Sequence, residues 1–231
     1  MITIPVFIVV KANNEENFNN NKELLLYAYD YIYKQQILRQ TIVISDSQEM
    51  LDYASNIGFK FTYLERCKKC HTCNIEYNGI YHYLLDHPEI KYDWFILYNI
   101  YQPFKGKNMI LDSIIAINDN YDFITTYTYV YDRSAYYITD KNKFVNEDNT
   151  SRVDLIPQKV KMIDNSILCI KTKYFLNAIE NGYIAKDLWK GKFKTIYNKA
   201  LYVPIGDNDD IHQLDIAEKI FRDIQIRKEE S

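Results

Sequence analysis

Residues 93–117 read DWFILYNIYQPFKGKNMILDSIIAI and contain an apolar segment, a polar loop and an amphipathic segment. Trp94–Tyr98 is apolar without interruption, which is typical of a strand buried on both faces of a parallel sheet. From Met109 to Ile117, apolar residues recur at helical spacing. The loop 99–105 therefore follows the carboxyl end of the strand, where open α/β sheets bind their ligands. We predict a substrate loop there, with a plain strand–helix connection as the alternative.

Predicted strands alternate with predicted helices along the rest of the chain. The further predicted strands are residues 4–10, 41–44, 59–64, 123–129, 167–170 and 200–205. The further predicted helices lie near residues 24–32, 46–57, 79–85 and 174–181, and after residue 211. In the second of these helices, Asp46 is the predicted cap, Glu49 completes a capping box and Gly58 ends the helix. The alternation predicts an α/β fold with a three-layer, mostly parallel Rossmann-like sheet and right-handed crossovers.

Residues 130–157 depart from this alternation. The segment is polar and charged, and we predict a small excursion there: a hairpin, a lid or a dimerisation arm. No repeat or linker divides the sequence elsewhere, so residues 1–231 are predicted to form a single domain.

The composition is ordinary for a globular α/β domain and excludes several classes of function. Of the 231 residues, 47% are hydrophobic and 26% are charged, and the formal net charge is −3. The basic footprint of a nucleic-acid-binding protein is lacking, and no apolar run approaches the ~20 residues that span a bilayer. The opening MITIPVFIVV is too short for a signal peptide and lacks a basic start, so it is interpreted as a strand. We expect a cytoplasmic protein with no nucleic-acid or membrane partner.

One short segment contains three cysteines and a histidine: Cys67, Cys70, His71 and Cys73. These are zinc ligands by type, but structural zinc sites usually pair two separated knuckles, and one short loop rarely supplies four tetrahedral ligands. We therefore expect free cytosolic thiols here rather than a zinc site. The fourth cysteine, Cys169, falls in a predicted buried strand, so a disulfide framework is not expected either.

Several segments match, in order and spacing, the motifs of one enzyme family. Residues 93–114 align without gaps on a strand–LQPTSPLR–helix motif, and residues 42–54, IVISDSQEMLDYA, are similar to IVSTDSEEIAEVA. Residues 164–170, DNSILCI, resemble ENGAIYI. Residues 206–209 and 213–218 fall on IDID and DLELAE. On these motifs the chain resembles the CMP-sialic acid synthetases, also called acylneuraminate cytidylyltransferases.

The resemblance implies the fold and the reaction of that family. The fold would be of the nucleotide-diphospho-sugar transferase (cytidylyltransferase) type. The reaction would transfer CMP from CTP to an acidic keto-sugar of the nonulosonic acid type, with release of pyrophosphate. The protein's share of such chemistry is mainly positioning and charge neutralisation. The resemblance also implies Mg²⁺ as the cofactor and a homodimer, with residues 130–157 as the arm.

In the loop after the predicted strand Trp94–Tyr98, Asn99 takes the place of the family's Gln, Gln102 that of Ser and Lys105 that of Arg. The resemblance implies that Asn99 binds the nucleotide, while Gln102 and Lys105 bind the substrate. Lys105 would also have a catalytic role, as a point charge without the bidentate fork of Arg; a solvated loop lysine is the alternative. Gln158 is a further substrate-binding candidate and Arg66 a further polar one, with solvent exposure as the alternative for both.

The loop after the first strand departs from the family. There the family has ARGGSKGIPRKN, a Gly-rich cationic loop that holds the CTP triphosphate with backbone N–H groups and basic side chains. Residues 11–21 read KANNEENFNNN, which is shorter and lacks the glycines, and Glu15 and Glu16 would repel phosphates at short range. The remaining nucleotide-binding candidates are Lys11, Asn13 and Lys22. A catalytically degenerate relative that binds a nucleotide or a sugar is therefore a second hypothesis.

Asp207 and Asp209 are separated by one residue in a predicted turn before the last helix. Two carboxylates in this arrangement can hold a hard divalent cation that keeps several waters. The resemblance implies that both bind Mg²⁺ and that Asp209 is catalytic, with a helix-capping role for Asp209 as the alternative. A third hypothesis takes this pair as the DxD motif of a GT-A-type glycosyltransferase. Its position disfavours that reading, because such a motif normally follows the nucleotide-binding half.

Overall fold

A computed structural model describes residues 4–12, 14–65, 75–132, 158–181 and 190–200 of the chain. The strands within these ranges are β1 (Val6–Val10), β2 (Thr41–Ser45), β3 (Phe61–Leu64), β4 (Trp94–Tyr98), β5 (Phe123–Asp132), β6 (Gln158–Lys171) and β7 (Phe193–Tyr197). The α-helices are α1 (Glu15–Lys34), α2 (Gln48–Ile57), α3 (Ile75–Asp86), α4 (Met109–Ile115) and α5 (Thr172–Glu180).

The strands form one mixed sheet in the order β3-β2-β1-β4-β6-β5-β7. Parallel pairing joins β1 to both β2 and β4, β2 to β3, and β5 to β7. Of the strands that the structure describes, only β6 runs antiparallel to its neighbours, β4 and β5. The mostly parallel α/β sheet predicted from the sequence is confirmed.

Helices cover both faces of the sheet and so produce three layers. Side chains of the central strands alternate between the faces: in β4, Ile96 and Tyr98 belong to one apolar cluster, and Phe95 and Leu97 belong to the other. Helices α1, α2 and α4 contribute to the first cluster, and α3 and α5 to the second. Because both faces are covered, β4 is apolar throughout, and this is why the sequence predicts both of its bounds.

Helix α1 begins earlier than the sequence pattern indicates. The sequence predicts a polar loop over residues 11–21, but the helix starts at Glu15. Asn14 caps the helix, because its side-chain oxygen accepts a hydrogen bond from the backbone N–H of Asn17 at 2.7 Å. Acidic residues in the first turn add a favourable interaction with the helix dipole. The loop between β1 and α1 is therefore reduced to residues 11–14.

Helix α2 is capped by Ser47 and not by Asp46. The Ser47 hydroxyl accepts a hydrogen bond from the Met50 N–H at 3.4 Å. The Asp46 carboxylate instead accepts one from the backbone N–H of Ala12 at 2.8 Å. The predicted cap is therefore wrong by one residue, and Asp46 belongs to the surroundings of the β1–α1 loop. Gly58 ends the helix as predicted, with φ +120°, a conformation that glycine adopts readily.

The far side of the sheet differs most from the prediction. Strands β5 and β6 remain paired as far as Asp132 and Gln158, with an irregular register between Thr125 and Tyr127. Strand β7 is an edge strand that the sequence prediction lacks, since its side chains are half-buried or exposed and give a weak apolar signal. Residues 133–157 of the predicted excursion, and the elements predicted beyond residue 200, lie outside the described residues. None of the described helices is both long and apolar enough to cross a membrane.

Candidate functional site

Two loops leave neighbouring strands at the carboxyl edge of the sheet: residues 11–14 after β1 and residues 99–108 after β4. On one side of β1 lie β2 and β3, and on the other side β4 leads to β6, β5 and β7. The order of the strands thus reverses between β1 and β4. Open α/β sheets bind ligands beside such a reversal, at the carboxyl ends of the strands.

Lys105, the cation that the sequence singles out, lies inside the β4 loop and is only 7% exposed. Its Nζ donates hydrogen bonds to the backbone oxygens of Asn99 at 2.8 Å and of Gln102 at 2.5 Å. The same atom lies 3.6 Å from the centre of the Tyr98 ring, a cation–π distance. Burial lowers the pKa of the Lys105 ammonium well below its ordinary value, while the Asp164 carboxylate acts in the opposite direction.

Asp164 of β6 is a buried carboxylate at the centre of a hydrogen-bond network beside Lys105. Its Oδ1 accepts hydrogen bonds from the Thr126 hydroxyl and, at 3.0 Å, from the backbone N–H of Ser166. Its Oδ2 accepts one from the Asn198 side-chain amide at 3.0 Å. A buried carboxylate is costly unless it is hydrogen-bonded and paired, and here both of its oxygens have donors.

Asn198, which follows β7, connects this network to the β4 loop. Its Oδ1 accepts hydrogen bonds from the backbone N–H groups of Gly106 at 2.9 Å and of Ala200 at 3.1 Å. Its Nδ2 also donates to the Ser166 hydroxyl at 3.1 Å. At the start of the loop, the Asn99 N–H donates to the Ser166 carbonyl at 3.2 Å. Residues 99 and 106 of the loop are therefore both bonded to groups from the far side of the sheet.

Tyr31 of α1 holds the end of the same loop from the opposite direction. Its hydroxyl donates to the Gly106 carbonyl at 2.9 Å and accepts from the Met109 N–H at 3.1 Å. Burial raises the pKa of Tyr31 to about 12. The neighbouring Tyr98 hydroxyl is buried and has no hydrogen-bond partner among the described residues, and burial raises its pKa well above the ordinary value.

The β1 loop offers less to a phosphate group. The backbone N–H of Ala12 is a donor of the kind that binds phosphate, but it already donates to the Asp46 carboxylate. The N-terminus of α1 would otherwise attract an anion, but its first turn carries the charges of Glu15 and Glu16. This loop is therefore short, flanked by acidic side chains and partly satisfied from within the protein.

Asn21 of α1 joins the two loops. Its Nδ2 donates to the Lys11 carbonyl at 2.6 Å and to the Tyr101 hydroxyl at 3.2 Å. The Tyr101 N–H in turn donates to the Asn99 side-chain oxygen at 2.9 Å, a local turn of the kind that Asn favours. One buried amide thus fixes the β1 and β4 loops relative to each other.

Several solved structures share this fold with the chain. The 4-diphosphocytidyl-2C-methyl-D-erythritol synthase from Anaerococcus prevotii matches with a TM-score of 0.61 at 11% identity, over 95% of this chain and 99% of that one. A CMP:2-keto-3-deoxy-manno-octonic acid synthetase complexed with CTP matches with a TM-score of 0.59 at 7% identity, over 94% and 99%. The chain has the cytidylyltransferase fold.

Another structure with this fold is the bifunctional IspDF from Campylobacter jejuni. It matches with a TM-score of 0.54 at 15% identity, over 87% of this chain and 52% of that one. The sequence itself matches no family model and no curated protein. At these identities the likeness concerns the fold alone. The fold expected from the resemblance to CMP-sialic acid synthetases is thus confirmed, while membership of that family stays a prediction.

The predicted site residues fall into three groups on the cytidylyltransferase fold. Those at the carboxyl edge are Lys11, Asn99, Gln102 and Lys105. Lys22 lies on α1, where its Nζ donates to the Asn19 side-chain oxygen at 3.2 Å. Gln158 pairs with Asp132, roughly 20 Å along the β5–β6 pair from the end of β4, and is not brought to the loop. Those outside the described residues are Asn13, Arg66, Cys67, Cys70, His71, Cys73, Asp207 and Asp209.

The predicted metal site falls in the third group. Within the described residues, no three His, Cys, Asp or Glu side chains lie close enough to share a metal ion. The two carboxylates of Asp207 and Asp209 suit Mg²⁺ by type, so magnesium binding at these residues stays a prediction.

The amides of the β4 loop are available for a ligand. Gln102 is 8% exposed, and its side-chain amide has no hydrogen-bond partner among the described residues. Asn99 uses its side-chain oxygen within the loop, which leaves its NH₂ group to donate elsewhere. Neutral amides bind neutral hydrogen-bonding groups, such as the edge of a base or a sugar hydroxyl.

Sequence reasoning missed the network around Asp164. Its members Thr126 and Asn198 belong to no motif, and Asp164 enters only as the first letter of the segment DNSILCI. A usable signal was present, since a carboxylate directly beside a strongly apolar strand needs partners when that strand is buried. The identity of those partners depends on strand pairing and is not readable from local sequence.

Proposed function

We propose that the protein is a cytidylyltransferase that transfers CMP from CTP to an acidic keto-sugar of the nonulosonic acid type and releases pyrophosphate. A sugar hydroxyl would attack the α-phosphorus of CTP, forming one P–O bond while the bond to pyrophosphate breaks. The observation that carries the proposal is the polar, pre-formed β4 loop at the carboxyl edge. It occurs in a fold shared with a synthetase that was solved with CTP.

The residues at this edge of the sheet would contact different parts of the substrates according to their chemical type. The amides of Asn99 and Gln102 would contact the base or the sugar hydroxyls. Lys11 and Lys22 would face the phosphates, and Lys105 would order the loop that carries the amides. Mg²⁺ held by Asp207 and Asp209 would neutralise triphosphate charge. A homodimer that uses residues 130–157, in the cytoplasm, completes the proposal.

A non-catalytic relative that binds a nucleotide or a sugar is the second candidate function. It is favoured by the β1 loop, where Asp46 already accepts the Ala12 N–H and two glutamates carry charge in the first turn of α1. A triphosphate placed there would meet repulsion where other cytidylyltransferase-like loops would supply attraction.

Calorimetric titration with CTP tests both candidates. It is done with and without Mg²⁺, on the wild type and on the double variant Asp207→Ala/Asp209→Ala. Magnesium-dependent binding that the double variant loses, followed by pyrophosphate release with a 2-keto sugar acid, would support the transferase. Binding of CMP or of the sugar without any turnover would support the second candidate. Absence of CTP binding at millimolar concentration would overturn the transferase proposal.

The glycosyltransferase hypothesis has its own readout. Transfer from, or hydrolysis of, a preformed CMP-sugar, without any use of CTP, would favour a GT-A-type enzyme and the DxD reading of Asp207 and Asp209. Release of pyrophosphate from CTP would rule it out.

A further inference from the structure

Several buried polar side chains lie in or beside the β4 loop. They are Lys105 at 7% exposure, Asp164 at 4%, Asn198 at 3%, and Thr126 and Ser166 at 0%. Burial of an ammonium and a carboxylate carries a large desolvation cost, which hydrophobic residues in the same place would avoid. Polar networks of this kind fix geometry when every member is satisfied, and here each member is satisfied.

The contacts of Lys105 account for its whole donor capacity. An ammonium has three N–H donors. Two point at the carbonyls of Asn99 and Gln102, and the ring face of Tyr98 lies 3.6 Å from the nitrogen. The charge therefore acts within the loop, and no donor is left over for a substrate carboxylate or phosphate.

Asp164 and Asn198 continue this arrangement into the sheet. Asp164 is held by Asn198 and makes no ion pair with Lys105, on whose pKa its carboxylate acts through its charge alone. Asn198 uses its remaining oxygen to hold the Gly106 N–H. The β4 loop is thus hydrogen-bonded in its interior by Lys105 and near its end by Asn198.

We propose that Lys105, Asp164 and Asn198 are positioning residues that act as one unit, fixing the β4 loop so that its neutral amides face the ligand. The identity of the ligand in this inference rests on the proposed function. The positioning role of the three residues holds whether or not the protein turns over a substrate. It gives Lys105 an internal role, whereas the resemblance implies a substrate-binding one. The ligand group that meets this loop is accordingly a neutral one, a base edge or a sugar hydroxyl.

Hydrogen–deuterium exchange of the ligand-free protein tests the unit. We compare the wild type with Lys105→Met, Asp164→Asn and Asn198→Ala. Loss of one hydrogen bond raises exchange about tenfold when local opening limits it, so each variant should raise exchange of residues 99–106 by about that factor. Peptides from β1 report global opening and in Lys105→Met should change less than the loop, whereas Asn198→Ala, which also lowers global stability, should accelerate both.

Lys107→Met is the matched control, because Lys107 is an exposed lysine in the same loop. It should leave exchange of residues 99–106 unchanged. The proposal is overturned if Lys105→Met leaves the loop as protected as in the wild type. It is also overturned if the β1 peptides of Lys105→Met accelerate as much as the loop, because Lys105 would then be an ordinary part of the core.

The Lys105 side chain provides a second readout, which a purely structural role would not move. NMR of the lysine ε-carbon, followed against pH, gives the pKa of Lys105 directly. Asp164→Asn should lower it further, because the variant removes the charge that opposes the burial effect. If the pKa of Lys105 does not change, Asp164 does not act on Lys105, and the proposal that the three residues act as one unit is overturned.

CTP titration of the same variants separates the two proposals. If the wild type binds CTP, all three variants should weaken binding by a similar factor, whereas loss in Lys105→Met alone would identify a substrate-binding cation and overturn the inference. If the wild type does not bind CTP, the proposed function fails, and the exchange and pKa results still decide the positioning role.

Discussion

The loops after β1 and β4 lie side by side at one edge of the sheet, yet they are built in opposite ways. The β1 loop is short, and it is flanked by the carboxylates of Asp46, Glu15 and Glu16. The β4 loop is longer and is bonded to α1, β6 and the end of β7. In the cytidylyltransferase fold, one side of the candidate site is thus strongly ordered, while the other is poorly suited to a triphosphate. Under the proposed function, activity on CTP would depend on whether the first loop tolerates phosphate, and recognition of the acceptor would depend on the second.

The largest expected difference between the loops is in stability. Asn198→Ala should lower the free energy of unfolding by about 3 kcal/mol, because the Gly106 and Ala200 N–H groups and the Oδ2 of the buried Asp164 carboxylate each lose the hydrogen bond that Asn198 makes. Urea unfolding measures this value. Lys199→Ala, at an exposed neighbouring position, should stay within ~0.5 kcal/mol of the wild type. Equal losses in the two variants would mean that the network does not hold the loop.

Tyr31→Phe probes the same loop through pH. At neutral pH it should cost about 1–2 kcal/mol, because the Gly106 carbonyl and the Met109 N–H each lose one hydrogen bond and keep only the one that joins them at 3.1 Å. An unfolded tyrosine ionises near pH 10, whereas burial raises the pKa of Tyr31 in the folded protein to about 12.

Between these pH values the unfolded chain has lost a proton that the native protein retains, so the contribution of Tyr31 to stability falls as pH rises. The difference between the wild type and Tyr31→Phe should therefore shrink from pH 10 to pH 12 in urea unfolding curves. Tyr33→Phe, at an exposed position of the same helix, is the control. A difference that stays constant over this range would contradict the assignment.

In the β1 loop, Asn14→Ala should have a smaller effect, about 1 kcal/mol, which is typical for loss of a helix N-cap. Asn14→Ser should restore most of the loss, because a serine hydroxyl can accept the same N–H. Thermal or urea unfolding distinguishes the two variants. A cost equal to that of Asn198→Ala would remove the contrast between the loops.

The smallest effect is expected on ligand affinity. Glu15→Gln/Glu16→Gln should strengthen CTP binding by about two- to fivefold at low salt, and the gain should shrink as salt screens the charges. Glu23→Gln, further along α1, should not change the affinity. Equal affinities for the wild type and the double variant would show that the phosphates do not approach the start of α1.

The parts of the fold that could be predicted are those with a strong local signal. Strand β4 was predicted to both bounds because its uninterrupted apolar run has one simple explanation, and Gly58 was recognised as the end of α2. The start of α1 was missed because an Asn-rich segment lacks an apolar stripe. The cap at Asn14 and the acidic first turn were the available clues.

The candidate site was predictable in location but not in its working parts. The position of residues 99–105 follows from strand order, and Lys105 could be named as the important cation there. The surroundings of the loop could not be predicted, because Asp164 and Asn198 lie far along the chain and approach it only through the pairing of β6 with β4 and β5 and of β5 with β7. Contacts between distant segments leave no local periodicity from which they can be read.

The antiparallel strand β6 has a consequence for biosynthesis. β4 ends at Tyr98 and the part of β6 that pairs with it begins at Ile167, so about 70 residues are added before the sheet can close beside β4. At ~5–20 residues per second, the ribosome needs several seconds for that stretch. Throughout this interval a fully apolar strand has one unpaired edge, which is a template for pairing with other nascent chains. The yield of folded protein should therefore fall as expression is made stronger, and chaperones that shield apolar strands should restore it.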